Sequence, residues 1–544
     1  MNKQSVKVYR KIIILAMVSI FFVSCDIFDK KKVNTVNDNY HKEDWNMETT
    51  PITFDWYINF SWFTTKWGND LVSKYVTDKT GVSLNLITPS GDEGEKLNSM
   101  IETGKLPDFI TISSSDGGYE KVIQSGLVLP LDTLSEKYDV YFMKVADQQK
   151  LEWYRQKDGH VYCYPNFSSP VTDFNSYKEE KPSNQTFLVR KDIYEALGKP
   201  DMRTPEGFLN ALERAKEQFP MVEGQELIPI GFHEFNDSGN LSLDSILPNF
   251  LSIPLEVNSK IYDRITDKEY IRWLKTLRTA NERGLISNEI FVDKRAQIEE
   301  NITKGRYFAM FYQNSDMSAE QVKLYNKDKN KIYMAVDGPS NYNLEEPKLA
   351  GDSISGWTVT LISKNCKNPK RAIRFLSYLI SEEGNKDLYL GIKGITWDVI
   401  DGKEQLKPEV VNLLNKDRTL FDNKYGAANT YWMLADYNLT QKWMPPNDEA
   451  IKIISDWSRG KTYNYSLFDN IHPSEDSEEG KSLSKINIKW KGTLKSLLIA
   501  KNESEFDEIL DEFIEYRNEQ NWDNIQKYKQ RKYEENKKKL NLVK

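Results

Sequence analysis

From Ile52 onward, apolar residues alternate between two spacings. In TFDWYINF (53–60) and VSLNLI (82–87) they favour every second position, the period of a strand with one buried face. Between these stretches Leu71, Val72, Tyr75 and Val76 fall at helical spacing, and Gly81 stands where a left-handed residue closes a helix. The signals then repeat. Leu97, Met100 and Ile101 line a second helix closed by Gly104, LPDFITI (106–112) reads as a short apolar strand, and YEKVIQSG (119–126) as a third helix. Strands separated by helices predict βαβ units and a parallel sheet, whose ligands sit outside the carboxyl ends of the strands. Those ends fall near Phe60 to Thr64 and Ser113 to Gly117.

A second α/β block opens with TFLVR (186–190), followed by helices at roughly 191–197 and 205–218 and a strand in ELIPIGF (226–232). DGHVYCYPNF (158–167) separates the blocks and reads as a crossover. GRYFAMFY (305–312) is a further strand, and SGWTVTLIS (355–363) follows the loop NYNLEEPKLAGDS. In NPKRAIRFLSYLISEEG (368–384), Asn368 is placed as N-cap, Pro369 as first helical residue and Gly384 beyond the end. The last forty residues, with Phe506, Ile509, Leu510, Phe513 and Ile514 in register, predict one or two long helices.

The N-terminal end changes the setting. Lys3, Lys7, Arg10 and Lys11 precede an apolar run from Ile12 to Val23, the pattern of a secretory signal and too short to span a bilayer. Val23, Ser24 and Cys25 resemble the bacterial lipobox, with Phe22 departing from its usual leucine. Residues 1–24 are therefore expected to be a lipoprotein signal peptide, Cys25 the lipidated residue, and the polar stretch 25–50 a flexible tether. Cys163 and Cys366 are too far apart in sequence for a metal pattern and leave either one disulfide or two buried thiols. The chain has 544 residues, 39% hydrophobic and 28% charged, and a net charge of −7 without a long basic run. That argues for a large core in more than one lobe and against nucleic acid as partner.

Several stretches in order carry a resemblance: TGVSLNL, GKLPDFITI, DGHVYCYP, FLVRKDIYEALGKPDMRTPEGF, and GWTVTLISKNCKNPKRAIRFLSYLISEEG followed by LYLGIKGITWD. Together, behind a lipobox, they resemble the extracellular solute-binding proteins of bacterial ABC importers, in the large, lipid-anchored oligosaccharide-binding branch. The resemblance implies a two-lobed α/β fold of the type II periplasmic-binding-protein kind. Each lobe is expected to be a mainly parallel sheet flanked by helices, discontinuous in sequence, with extra C-terminal helices. Lobe 1 is placed at 51–165 plus about 351–395 and lobe 2 at about 186–345 plus 402–544, with hinge segments near 165–186, 345–352 and 395–402. It further implies a monomer on the outer face of the cell membrane whose partners are a carbohydrate and the permease. Many relatives carry a calcium loop where this chain reads EQFPMVEGQELIP, which lacks the alternating oxygen ligands, so no calcium is expected there and no cofactor elsewhere. Asn326, Asp328, Asn330 and Asp337 mimic such spacing, but Lys331 occupies the glycine position and the stretch reads as a solvated loop.

A sugar presents an apolar face rimmed by hydroxyls, so its site needs aromatic platforms with amides and hydroxyls around them. Trp62, just past the first strand, is the leading candidate, with Ser113 and Ser114 (and Ser115 beside them) as donors at the rim. Asn166 follows the crossover proline, Phe232 and His233 end a second-block strand, Trp357 enters the return strand, Trp397 follows GIKG, and Tyr431 and Trp432 lie in GAANTYWM. Each of these is also a plausible core or surface residue. The absence of an Arg or Lys cluster favours a neutral sugar. Alternative functions are a secreted glycoside hydrolase or lyase, or a sugar-sensing adaptor for a membrane receptor. No GxSxG, HExxH or P-loop is present, no carboxylate pair stands in a catalytic motif, and no catalytic residue is assigned.

Overall fold

The computed structural model describes residues 48–90, 93–115, 117–177, 181–236, 239–445, 448–474 and 477–542. The expected signal peptide, Cys25 and nearly all of the tether lie outside the described residues. The fold is that of the unit Thr50–Lys544. Its two main sheets are built, in chain order, from β1 (Ile52–Ile58), β2 (Val82–Ile87), β3 (Phe109–Ser113), β4 (Cys163–Pro165), β5 (Gln185–Arg190), β6 (Ile228–Gly231), β7 (Tyr307–Gln313), β8 (Tyr333–Ala335) and β9 (Thr358–Ile362). The first sheet runs β2-β1-β3-β9-β4 and the second β8-β5-β7-β6.

Strands β1, β2 and β3 are parallel, in register from Ile52 opposite Val82 and from Trp56 opposite Phe109. Strand β9 runs antiparallel to both β3 and β4. In the second sheet only β6 and β7 are parallel, while β5 is antiparallel to β7 and to β8. Both sheets are therefore mixed by a single reversed strand each, β9 in the first and β5 in the second, while the other strands of each sheet run the same way, as expected of mainly parallel sheets. The reason is the route of the chain. A helical crossover within one sheet returns a strand in the same direction, whereas the passages from β4 to β5 and from β8 to β9 go from one sheet to the other and impose no such direction.

Strands β5 and β9 are buried along their whole length, as expected where helices cover both faces. Polar groups inside are paired: Thr111 and Thr360 share a 2.7 Å hydroxyl bond between β3 and β9, and Trp56 Nε1 donates to Thr111 Oγ1 at 2.8 Å. The helix Leu71–Thr80 is capped by Asp70, which accepts from Ser73 N, and closes on Gly81 at φ 71°.

Two expectations change here. The helix beginning at Pro369 ends at Ile380, not before Gly384. Ser381 caps a new helix, Glu382–Leu390, and Gly384 sits inside it because any Cβ there would come within 1.9 Å of Tyr378 O. The stretch 395–402, expected as a third hinge, belongs instead to the hairpin Trp397–Ile400 with Lys403–Leu406. Residues beyond it still pack with the helices of the first sheet: Val72 N donates to Tyr425 O (3.0 Å), Ala428 N to Tyr389 O (2.8 Å) and Asp436 N to Asn385 Oδ1 (2.8 Å). At the helix Glu449–Ser455, where Ala450 O accepts from Gln321 Nε2 and Ile454 joins the core of β5 and β7, the chain enters the core of the second sheet.

The last helices are Glu478–Ile499, Glu503–Glu519 and Trp522–Leu542. Trp490, Leu494, Leu497, Phe506 and Phe513 enter the same core as Phe187, Phe208 and Trp273, so these helices are part of the second sheet's core. Cys163 and Cys366 are buried free thiols. No helix among the described residues is long and apolar enough to cross a membrane.

Candidate functional site

Past Ile58 the chain turns tightly, with Phe60 N donating to Ile58 O and Phe63 N to Phe60 O, and this turn projects Trp62. Trp357 comes from the residue just before β9, and Trp432 opens the short turn Trp432–Leu434, where Met433 O accepts from Thr360 in β9. Segments some 300 and 75 residues apart in sequence thus bring three indoles together. The Trp62 ring lies parallel to Trp357, with centroids 6.0 Å apart, and stacks on Trp432 at 5.7 Å; Trp357 and Trp432 approach to 4.5 Å. Phe60 and Phe167 flank Trp357 at 5.2 and 6.4 Å.

Trp62 is 57% exposed and Trp357 39%, large values for rings that cluster, while Trp432 forms the buried floor. Its Nε1–H finds no acceptor among the described residues. A buried indole N–H ordinarily has a partner, and this one is enclosed beneath the two outer rings without one.

Asn166 holds the platform in place. It is fully buried, its Nδ2 donates to Trp432 O (3.0 Å) and its Oδ1 accepts from Thr358 N (2.8 Å). Ser114 N and Oγ both donate to Trp357 O (3.0 and 3.1 Å). Gly356, at φ +69°, is required because a Cβ there would lie 2.1 Å from Asn166 O. Asn166 and Ser114 thus spend their hydrogen-bonding groups on the backbone behind the tryptophans. Ser113, by contrast, is partly exposed, its hydroxyl 3.1 Å from that of Ser115.

The other candidates lie elsewhere. Tyr431 is buried against Trp67 (4.6 Å), its hydroxyl donating to Asp70. Trp397 is buried under its own loop, Nε1 donating to Gly391 O (3.0 Å), with Lys386 over the ring. Phe232 is in the second core. His233 is buried beyond the end of β6, stacked on Tyr312 at 4.0 Å, with Nδ1 on Ser242 Oγ (2.8 Å) and Nε2 3.4 Å from Asp316. Asp316 is drawn up by burial, but the neighbouring His233 and Arg295 outweigh this and hold it below the usual carboxylate range. Phe60, Phe63 and Phe167 also stand against the stack, and no pattern in the sequence singles them out from core residues.

The loop EQFPMVEGQELIP forms the hairpin Met221–Val222 with Gln225–Glu226, turning through Glu223 and Gly224 at φ 51° and 77°. Among the described residues no group of three or more His, Cys, Asp or Glu is arranged to hold a metal ion.

Two mixed α/β sheets joined by long passages, with an exposed aromatic platform beyond the carboxyl end of β1, define a two-lobed solute-binding protein of type II. The chain belongs to the family of bacterial extracellular solute-binding proteins, whose profile matches residues 70–397. It is similar to the fructooligosaccharide ABC transporter substrate-binding protein FusA of Streptococcus pneumoniae, 26% identical over 231 residues, which are 41% of this chain and 42% of that protein. It is also similar to the lipoprotein LipO of Bacillus subtilis, 22% identical over 330 residues, 58% of this chain and 61% of that one. The matched stretches thus span about two fifths and three fifths of these relatives. Among solved structures, FusA in complex with kestose aligns with a TM-score of 0.65 and 17% identity over 89% of this chain and 99% of its own. A human-milk-oligosaccharide (HMO) binding, ABC-transporter-associated protein of Bifidobacterium longum infantis aligns at 0.66 and 14% identity over 89% and 99%.

Proposed function

We propose that this protein is the substrate-binding component of an ABC importer and captures a carbohydrate, an oligosaccharide, in an aromatic-lined cleft between its lobes. The stacked Trp62, Trp357 and Trp432 carry the reading: two exposed indoles over a buried one offer a flat apolar face to a sugar ring. FusA and the Bifidobacterium protein, both named for oligosaccharides, support it.

In this reading one lobe is built on the first sheet and the other on the second, and the passages 165–186 and 345–352 act as hinges. Ligand contacts made by both lobes shift the population toward a closed form. Cys25 carries the lipid anchor, the monomer faces outward, and the permease receives the ligand without chemical change. The test is to titrate the purified protein with a panel of oligosaccharides while following melting temperature and reducing ends. Stabilisation growing as RT ln(1 + [L]/Kd) without new reducing ends supports it. Turnover of any sugar would establish a glycan-degrading enzyme instead.

A further inference from the structure

We infer that the helix Trp522–Leu542 is a strap between the two lobes: its first turns are fixed in the second lobe, its last turns grip the first through Lys539 and Trp153, and the lobes change their angle only when that grip lets go. The inference rests on the hinged two-lobe reading above and not on the nature of the ligand.

The helix starts in the core of the second sheet, where Ile525 is fully buried in the cluster that holds Phe187 and Trp273. Further on, Gln530 accepts from Ile261 N and donates to Ser259 O, both at 2.8 Å, which ties the helix to the hairpin Glu256–Val257 with Lys260–Ile261. Its middle runs beside the hinge. Tyr533 packs on Phe468 with centroids 5.6 Å apart, and the buried Asn536 donates to Asp469 O (2.7 Å) and Leu467 O (3.2 Å). That short segment is bonded in turn to the chain leaving the second passage, since Ile354 N donates to Ser466 Oγ (2.9 Å) and Ser355 Oγ to Asp469 (2.6 Å).

The end of the helix reaches the other lobe. Lys539 Nζ donates to Trp153 O at 2.8 Å and stands 5.5 Å from the centre of that ring. Trp153 belongs to the helix Gln148–Tyr154, which is held on the first sheet where Asp147 N donates to the Tyr164 hydroxyl of β4 (3.1 Å). One continuous helix therefore spans both lobes, and from Ile525 to Lys539 it covers about 21 Å. A rotation of the lobes about the passages shifts Trp153 relative to Ile525, and a helix cannot stretch to follow. One end must release. Ile525 is closed in by a core, whereas Lys539 rests on a carbonyl and a ring, with no carboxylate paired to its ammonium among the described residues. Burial, with Lys532 nearby, draws the Lys539 pKa below the ordinary lysine value despite Glu535 and Glu120. A buried ammonium so weakly compensated is the end that yields.

The test is small-angle scattering and hydrogen exchange on the ligand-free wild type, Lys539→Met and Lys538→Ala. Methionine keeps an apolar stem and removes the donor, and Lys538, exposed beside it, is the control. In Lys539→Met the radius of gyration should rise, because without ligand the released lobes spend more time apart, and the amides of 536–542 should exchange about tenfold faster while those of 522–533 keep their rates. Lys538→Ala should match the wild type. A radius of gyration unchanged in Lys539→Met, even with faster exchange at the helix end, would make the contact mere packing and overturn the strap. Faster exchange along the whole helix with a lower melting temperature would make Lys539 a residue of the fold and overturn it too. Neither readout uses a sugar, so the carbohydrate reading stands or falls separately, by the oligosaccharide titration.

Discussion

The indole planes of Trp62 and Trp357 are within 11° of parallel, although the two residues lie at opposite ends of the first sheet's chain and reach each other only because β9 pairs with β3. A parallel pair with one ring 57% exposed leaves a flat apolar face open to solvent.

Trp62→Ala is therefore expected to weaken carbohydrate binding by roughly ten- to a hundredfold, the ~1.4–2.8 kcal/mol of an aromatic anchor. Unfolding stability should change by no more than about 0.5 kcal/mol, as for a surface site. Calorimetric titration beside thermal unfolding separates the two; a large drop in melting temperature with unchanged affinity would assign Trp62 to packing.

Asn166 has the opposite profile. Asn166→Ala leaves Thr358 N–H and Trp432 C=O buried without the partners they have now, at about 1–3 kcal/mol for each group. The denaturation midpoint should fall, and sugar affinity with it, because the backbone behind two tryptophans loses its tie. An unchanged midpoint would mean that these groups find new partners.

Tyr431 tests the boundary of the site. Its hydroxyl bonds the buried Asp70, which also caps the helix Leu71–Thr80 through Ser73 N (2.8 Å). Tyr431→Phe should lower stability by about 1–2 kcal/mol and leave ligand affinity within a factor of two. A selective loss of affinity would bring Tyr431 into the site.

A pH dependence follows from Asp469, buried where Ser355 Oγ donates to it at 2.6 Å in the segment before the C-terminal helices. Burial raises its pKa to about 6, against the serine hydrogen bonds that pull it down. In the unfolded chain the same group titrates near about 3.9. Between these values the native state keeps a proton that the unfolded state has released. Its contribution to stability is thus complete below about pH 4 and is lost as pH rises through about 6, a change of up to about 3 kcal/mol. Denaturant unfolding of the wild type and Asp469→Asn from pH 4 to 7 should show a difference between them that changes over this window; parallel profiles would refute the assignment.

Local order along the chain is written in the sequence. Period and capping located β1, β2, β3 and the helix Leu71–Thr80, because strand alternation and an αL glycine are properties of neighbouring residues. Strand direction was not, since β4 and β9 pair across nearly 200 residues and only the packed sheet decides which way β9 runs. Gly384 shows the same limit: its residue type fits a helix end or a close approach, and the Tyr378 carbonyl selects the second.

The aromatic residues divide in the same manner. The sequence by itself determined that Trp62, Trp357, Trp397, Tyr431 and Trp432 follow strand ends or loops. Tertiary structure alone decided that three of them stack and that Tyr431 and Trp397 turn inward, because exposure is set by what the rest of the chain places on top of a ring.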